Sequence, residues 1–252
     1  MGFPNTLQGD YGAWFQTGSV VLYPLGQRML CPEGRIFRYA KVGSAGALTA
    51  CQLAQAEAEN AEHDAMAVQT EASSGDTSLA FTNGTVDLAE NQFQYGYLSV
   101  DTAAALGVAH RVAFHAAINA STTGIVYFFE GDTIQVTIST ARKVTLRKSI
   151  FKDIIVKPAS DPTAIVVGVP QNAIAASSYG WVQTHGMAGV LSEDAATISE
   201  KVRPSETAVG SVSDLDASEA DAADNGAVGW VCDANSAAAK NTNIFLTLEG
   251  AS

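Results

Sequence analysis

From about residue 78 onward, the sequence is a succession of short apolar segments separated by turn-forming residues. Most segments are four to nine residues long and end in Gly, Pro, Asp or Asn, as in GIVYFFEG, AIVVGVP and NIFLTLEG. Asn83-Gly84 lies between two such segments and is a hairpin signal. Many short strands at regular spacing are typical of sandwiches and barrels. We therefore predict an all-β fold, a sandwich or barrel of short antiparallel strands with little helix.

Residues 47–68 have an ambiguous pattern. Their Ala, Gln and Glu content favours helix, and Thr49 and Gln52 have the spacing of a capping box. Most of the apolar side chains here are single methyl groups, however, which give a helix little surface to bury. Helical and extended conformations both stay open for this stretch.

The first 34 residues are rich in Gly, Pro and aromatic residues but show no clear period. We predict that residues 1–34 form an extended N-terminal arm and residues 35–252 a β domain. A division of that domain into two packed β units near residue 160 is left open, and no strong internal repeat is visible. Large apolar groups on an arm usually pack against another surface. Deletion of residues 1–30 is thus expected to leave the β body folded and to weaken partner binding.

The formal net charge is −12 at pH 7, and an acidic surface repels phosphate, so direct nucleic-acid binding is not expected. The charges are segregated along the chain. Five basic residues lie between Arg142 and Lys152, and nine acidic ones lie between Glu193 and Asp224. Two solvated faces would explain this segregation, and docking of complementary surfaces is the alternative.

The sequence contains no stretch of about 18 apolar residues of the kind that spans a membrane, and no basic segment followed by an apolar one at its start. We therefore expect a protein that is made in a cytoplasm and has no membrane partner.

Residues able to perform catalysis or bind metal are present but follow no known motif. There is no nucleophile elbow, phosphate-binding loop, dinucleotide fingerprint or paired cysteine motif. His110 and His115 are five residues apart, which on a strand directs them to opposite faces. Trp181, in the segment YGWVQTHG, is expected to fill core volume or to anchor an interface. We predict no enzymatic activity, no cofactor and no metal.

Several segments resemble proteins encoded among the head genes of tailed bacteriophages. These segments are FRYAKVGSAGALTACQLAQ, TNGTVDLAENQFQYGYL, QYGYLSVD and GVPQNAIAASSYGWVQTHGMAGVLSED. The resemblance covers about Ile36 to Val212, and it consists of structural residues rather than a catalytic signature.

This resemblance implies a virion structural protein of the capsid decoration (cement) type. Such proteins are β-rich and often trimeric, and they lie on the capsid surface after assembly in the host cytoplasm. The implied partners are the major capsid protein and other copies of the chain. A head fibre, tail or minor shell protein and a carbohydrate-binding β module are the alternatives.

The residues expected to contact the partner are the aromatic side chains of the arm and the basic cluster. They are Phe3, Trp14, Phe15, Tyr23, Arg142, Lys143, Arg147 and Lys148.

Overall fold

The computed structural model describes residues 4–101, 109–215, 226–234 and 238–249. Within these ranges the chain forms seventeen strands, two short 3₁₀ helices (Ala13–Phe15 and Ala61–His63) and no α-helix. The prediction of an all-β fold of barrel or sandwich type is confirmed, since the sheets curl and one closes into a barrel.

The chain divides into two compact units. We call Met1–Ala58 with Ile150–Ser252 the split unit and Glu59–Ser149 the inserted unit. This division differs from the one near residue 160 that the sequence left open, because strands from both ends of the sequence form one sheet. The strands of the split unit are β1 (Thr6–Gln8), β2 (Arg28–Leu30), β3 (Ile36–Lys41), β4 (Ala54–Gln55), β11 (Ile155–Val156), β12 (Val166–Gly168), β13 (Tyr179–Ser192), β14 (Lys201–Pro204), β15 (Val212–Asp214), β16 (Gly229–Val231) and β17 (Lys240–Thr247). Those of the inserted unit are β5 (Met66–Ala67), β6 (Ser78–Thr82), β7 (Tyr97–Val100), β8 (Ala109–Phe114), β9 (Thr123–Phe128) and β10 (Lys143–Arg147).

Strand β13 organises the split unit, because its two halves pair with different strands. The half from Tyr179 to His185 pairs antiparallel with β3, and the half from His185 to Ser192 pairs antiparallel with β17. At the change of partner, Gly186 has a φ of 86°, which few residues other than glycine adopt. The strands then follow the order β13-β15-β14-β16-β17, and β17 pairs back with β13, so five strands close a barrel.

The N-terminal residues belong to this sheet. β1 pairs parallel with β2, and β2 pairs antiparallel with β3. Met29 is buried, and the ring of Tyr23 lies 5.2 Å from that of Tyr39 and 5.3 Å from that of Trp181. Over residues 4–34, the described part of the predicted arm of residues 1–34, the structure thus differs from that prediction. Some apolar residues of this region, such as Leu25 and Met29, are buried and others, such as Val20 and Val21, are exposed, with no regular alternation.

The ambiguous residues 47–68 are largely extended. Ala54 and Gln55 form β4, which pairs antiparallel with both β11 and β12 in a three-stranded sheet. Both residues are fully buried. Since a methyl side chain at Ala54 fits closely against a neighbouring strand, the packing overrides the helix propensity of the alanines.

The inserted unit is a six-stranded sheet in the order β5-β10-β7-β8-β9-β6. A bridge between Val68 and Phe81 brings the chain after β5 against β6, so that the two ends of the sheet meet. One apolar core fills the interior and includes Phe81, Leu98 and Val126. Phe81 and Val126 have no exposed surface.

The hairpin predicted at Asn83-Gly84 does not form. β6 pairs with β9 rather than with β7, the next strand along the chain. A Cβ atom at Gly84 would lie 2.0 Å from the carbonyl oxygen of Glu62. Glycine is therefore required by a close approach of two backbone segments rather than by a two-residue turn.

A recurring turn, not evident from the sequence, occurs in both units. In each case two buried residues form an isolated bridge by exchanging two backbone hydrogen bonds. The residue three positions after a bridge residue has a left-handed backbone conformation in most instances. Short polar residues or glycine tolerate that conformation best. The bridges are Leu48–Ile174, Ala72–Ile138 and Leu88–Ile118, and the left-handed residues are Cys51, Gly75, Asn91, Ser121 and Ser177.

Candidate interaction surfaces

The predicted contact residues near the N-terminus have different surroundings. Phe3 lies outside the described residues. The ring of Trp14 stacks on that of Phe37 at 6.0 Å, and Tyr23 packs on the sheet as described above. Phe15, in contrast, stacks on Trp14 at 3.8 Å and remains 54% exposed. Trp14 and Tyr23 therefore contribute to internal packing, and Phe15 is the one of the three described predicted aromatic residues that is largely exposed to solvent.

Five exposed apolar side chains lie within residues 11–22. The segment is held at fixed points, because Gly18 and Tyr179 exchange two backbone hydrogen bonds and the Leu22 amide donates to the hydroxyl of Tyr39. The amide nitrogen of the Asn172 side chain donates to the carbonyl of Phe15. We call the five side chains the N-terminal apolar surface: Tyr11, Phe15, Val20, Val21 and Leu22.

The predicted basic cluster is partly used within the chain. Arg147 forms ion pairs with the carboxylates of Glu59 and Asp64. Lys143 is exposed, whereas Arg142 and Lys148 are half-buried. Because Arg147 is already paired, the cluster is a weaker site for an acidic partner than its sequence suggests.

A second apolar surface crosses the barrel of the split unit. Lys201, Trp230, Phe245 and Met187 are register partners on the neighbouring strands β14, β16, β17 and β13. Trp230 is 44% exposed, and the Lys201 ammonium lies 5.0 Å from the centre of its ring. We call these four residues the barrel row. The two Gly-Trp-Val segments thus differ, since Trp181 is a buried core residue and Trp230 faces solvent.

A third apolar surface lies on the outer face of the inserted unit. Tyr97 of β7 is opposite Arg111 of β8, and Phe114 of β8 is opposite Tyr127 of β9. Tyr97, Phe114, Ile125 and Tyr127 are all exposed. We call these four residues and Arg111 the aromatic face. The sequence signal for it is the segment TGIVYF of β9, whose inward and outward residues are both largely apolar.

The histidines do not converge. His110 Nδ1 lies 2.8 Å from a carboxylate oxygen of Asp132, and the Nδ1 of His115 lies 2.8 Å from the carbonyl oxygen of Ala116. Both side chains are buried, contrary to the prediction of opposite faces, because a bulge between Val112 and Phe114 shifts the alternation of β8. Within the described ranges, no group of three His, Cys, Asp or Glu side chains is placed to hold a metal ion.

A buried polar network in the split unit has a structural role. Lys157 is fully buried and donates to the carbonyl of Ala208, and burial lowers the pKa of its ammonium. Ser205 donates to the carboxylate of Glu193 and accepts from two backbone amides. The Ser205 hydroxyl is thus committed to the turn that follows β14 and is not activated as a nucleophile.

Asp214 is the described carboxyl group with the largest upward shift. Burial, reinforced by the facing carboxyl of Glu200, raises the pKa of Asp214 to about 6. Because the folded pKa exceeds the usual value, the folded state binds more protons between about pH 4 and 6, and the ionised group lowers stability above that window. We expect Asp214→Asn to raise the free energy of unfolding by about 1 kcal/mol at pH 7.5 and to have little effect at pH 4. Urea unfolding at the two pH values measures this difference, and an equal effect at both would contradict it.

In the part of the chain that the structure describes, no helix is long and apolar enough to cross a membrane. Comparisons with protein-family models, with curated proteins and with solved structures found no match to this chain.

Proposed function

We propose that the protein is a structural, non-enzymatic component of a tailed-phage virion, namely a decoration (cement) protein that binds the outer capsid lattice. Its partners on the capsid surface are the major capsid protein and further copies of itself. The resemblance over residues 36–212 motivates the proposal. The observation that carries it is that β-sheets with filled cores also present three apolar surfaces to solvent, a pattern that marks protein–protein contacts.

The physical basis is linkage between binding and assembly. A protein that binds only the assembled shell stabilises the shell by mass action. Several weak contacts on one lattice also reinforce one another through effective concentration. Such a role requires surfaces that are rigid and apolar, and it requires no reactive group.

We assign the shell contact to the N-terminal apolar surface. Its segment is fixed to the sheet by the Gly18–Tyr179 bridge and by the Leu22–Tyr39 hydrogen bond, so Val20 and Val21 are presented without a large ordering cost. The contact is thus made by a segment fixed to the sheet rather than by an extended arm. The aromatic and aliphatic composition is that of a contact surface whose affinity comes from desolvation.

Substitution of this surface tests the proposal. Val21→Asp is expected to weaken binding to shells by about tenfold or more, because a charge would be buried against an apolar partner. The measurement is co-sedimentation of the purified chain with phage heads that lack it, quantified over a concentration series. Ile165→Asp is the matched control, since Ile165 is 61% exposed in the same unit but lies outside the surface.

Failure of the unaltered chain to sediment with heads would contradict the proposed function. Equal losses from both aspartate variants would contradict the assignment of the surface alone.

A carbohydrate-binding module is the second candidate, and the exposure of Trp230 is the observation that favours it. The Lys201 ammonium already lies against this ring, which leaves less of it for a sugar. Retention on immobilised glycans that is lost in Trp230→Ala would support this candidate over the first.

A further inference from the structure

The outer side of the inserted unit departs from the usual pattern of an antiparallel sheet. Such sheets commonly alternate apolar inward residues with polar outward ones. In β9 the inward residues Val126 and Phe128 are buried, yet the outward residues are Ile125 and Tyr127, which are 43% and 37% exposed. A strand that is apolar on both sides is typical of a sheet that is covered on both sides.

Rings on and beside the aromatic face are already stacked against one another before any partner binds. Phe114 and Tyr127 stack with centroids 4.4 Å apart and planes 6° from parallel. Beside them, Tyr95 and Phe129 stack at 5.7 Å, and the Arg111 guanidinium lies 4.9 Å from the Phe129 ring and 5.8 Å from the Tyr95 ring. Side chains that already support one another lose little rotamer freedom when a partner binds.

The charge of Arg147, beside this face, is compensated within the unit. Arg147 is the register partner of Tyr97, and it is paired with Glu59 and Asp64. The Arg111 guanidinium lies over the Tyr95 and Phe129 rings. A polyanion or a strongly acidic protein would have to compete with Glu59 and Asp64 for Arg147, so the face is better suited to an apolar partner of low local charge.

We propose that the aromatic face is the surface through which copies of this chain associate. The chain carries a net charge of −12, so two copies repel unless they meet where charge is compensated and apolar area is large. Tyr97, Phe114, Ile125 and Tyr127 together expose roughly 400 Å² on one copy, a patch at the size that marks interaction sites. Two such faces bring together about 800 Å² of exposed surface, half of the about 1,600 Å² that a standard interface buries. Association of identical chains is also the commonest route to a closed, symmetric assembly.

The test is the oligomeric state of the full chain in the absence of any shell. Light scattering during gel filtration and native mass spectrometry are expected to give an oligomer. Tyr127→Arg and Ile125→Arg, at exposed positions that leave the core intact, should each weaken the association by roughly 30-fold or more. Val136→Arg is the control, because Val136 is 52% exposed in a loop of the same unit and the added charge is identical.

An oligomer that dissociates in the first two variants and persists in the control supports the inference. A monomer at all concentrations, or an oligomer that both face variants leave intact, overturns it. Since no shell is present, these outcomes are independent of whether the chain binds capsids.

Discussion

Removal of residues 1–30 is expected to unfold the split unit. The deletion takes away β1 and β2 and uncovers the side of the β3–β13 pairing on which Tyr39 and Trp181 lie, each only 2% exposed in the intact chain. Burial of one large apolar side chain contributes about 1.5–3 kcal/mol, so exposing several consumes most of a typical stability of about 5–15 kcal/mol. Tryptophan emission, which comes from Trp181 and Trp230 in the shortened chain, and hydrogen exchange along β13 measure the effect.

A chain that lacks only residues 1–5 keeps β1 and serves as the control. If the longer deletion retained a cooperative unfolding transition and a protected β13, the N-terminal strands would be dispensable, as the sequence alone had suggested.

Substitution of Phe81 by alanine is expected to destabilise the inserted unit by about 3–5 kcal/mol while leaving the split unit unchanged. Phe81 has no exposed surface and belongs to a core made only of residues of the inserted unit. All three tryptophans, Trp14, Trp181 and Trp230, lie in the split unit, so their emission reports that unit alone. Denaturant unfolding followed by tryptophan emission should match that of the unaltered chain, and hydrogen exchange in β6 and β9 should accelerate.

Val182→Ala is the converse control, because Val182 is buried in a core of the split unit. It should shift the tryptophan transition and spare exchange in β6 and β9. Equal shifts of both probes in both variants would mean that the units unfold as one.

Local patterns predicted the strands better than their partners. The predicted strand GIVYFFEG contains most of β9, and the predicted segments YGWVQTH and GMAGVLS join in the single strand β13, because β-branched and aromatic residues between turn-forming ones suit a pleated sheet. The strand pairing at Asn83-Gly84 was predicted wrongly. Glycine is needed there because the backbone of Glu62, a residue distant in sequence, approaches closely. Contacts of that kind leave no local signal.

The domain division and the surfaces were missed for the same reason. β1 pairs with β2 and β2 with β3, and β3 pairs with β13, which follows only after the inserted unit, so the boundaries at residues 58 and 150 depend on a pairing between distant segments. Of the predicted contact residues, Trp14, Tyr23 and Arg147 have partners within the chain, whereas Phe15 is exposed. Aromatic content predicts that a segment can bind another surface, but only the tertiary structure determines which rings are buried within the chain.

The interruption of one unit by another also sets an order of events on the ribosome. The inserted unit is a continuous stretch and can complete its sheet once β10 has emerged, whereas β3 must wait for β13 and the barrel cannot close before β17 is made. Until then the nascent chain carries unpaired strands with apolar side chains, which are the species most prone to aggregate. Translation speed and chaperone supply should therefore govern the yield of this protein more strongly than the final stability of its barrel.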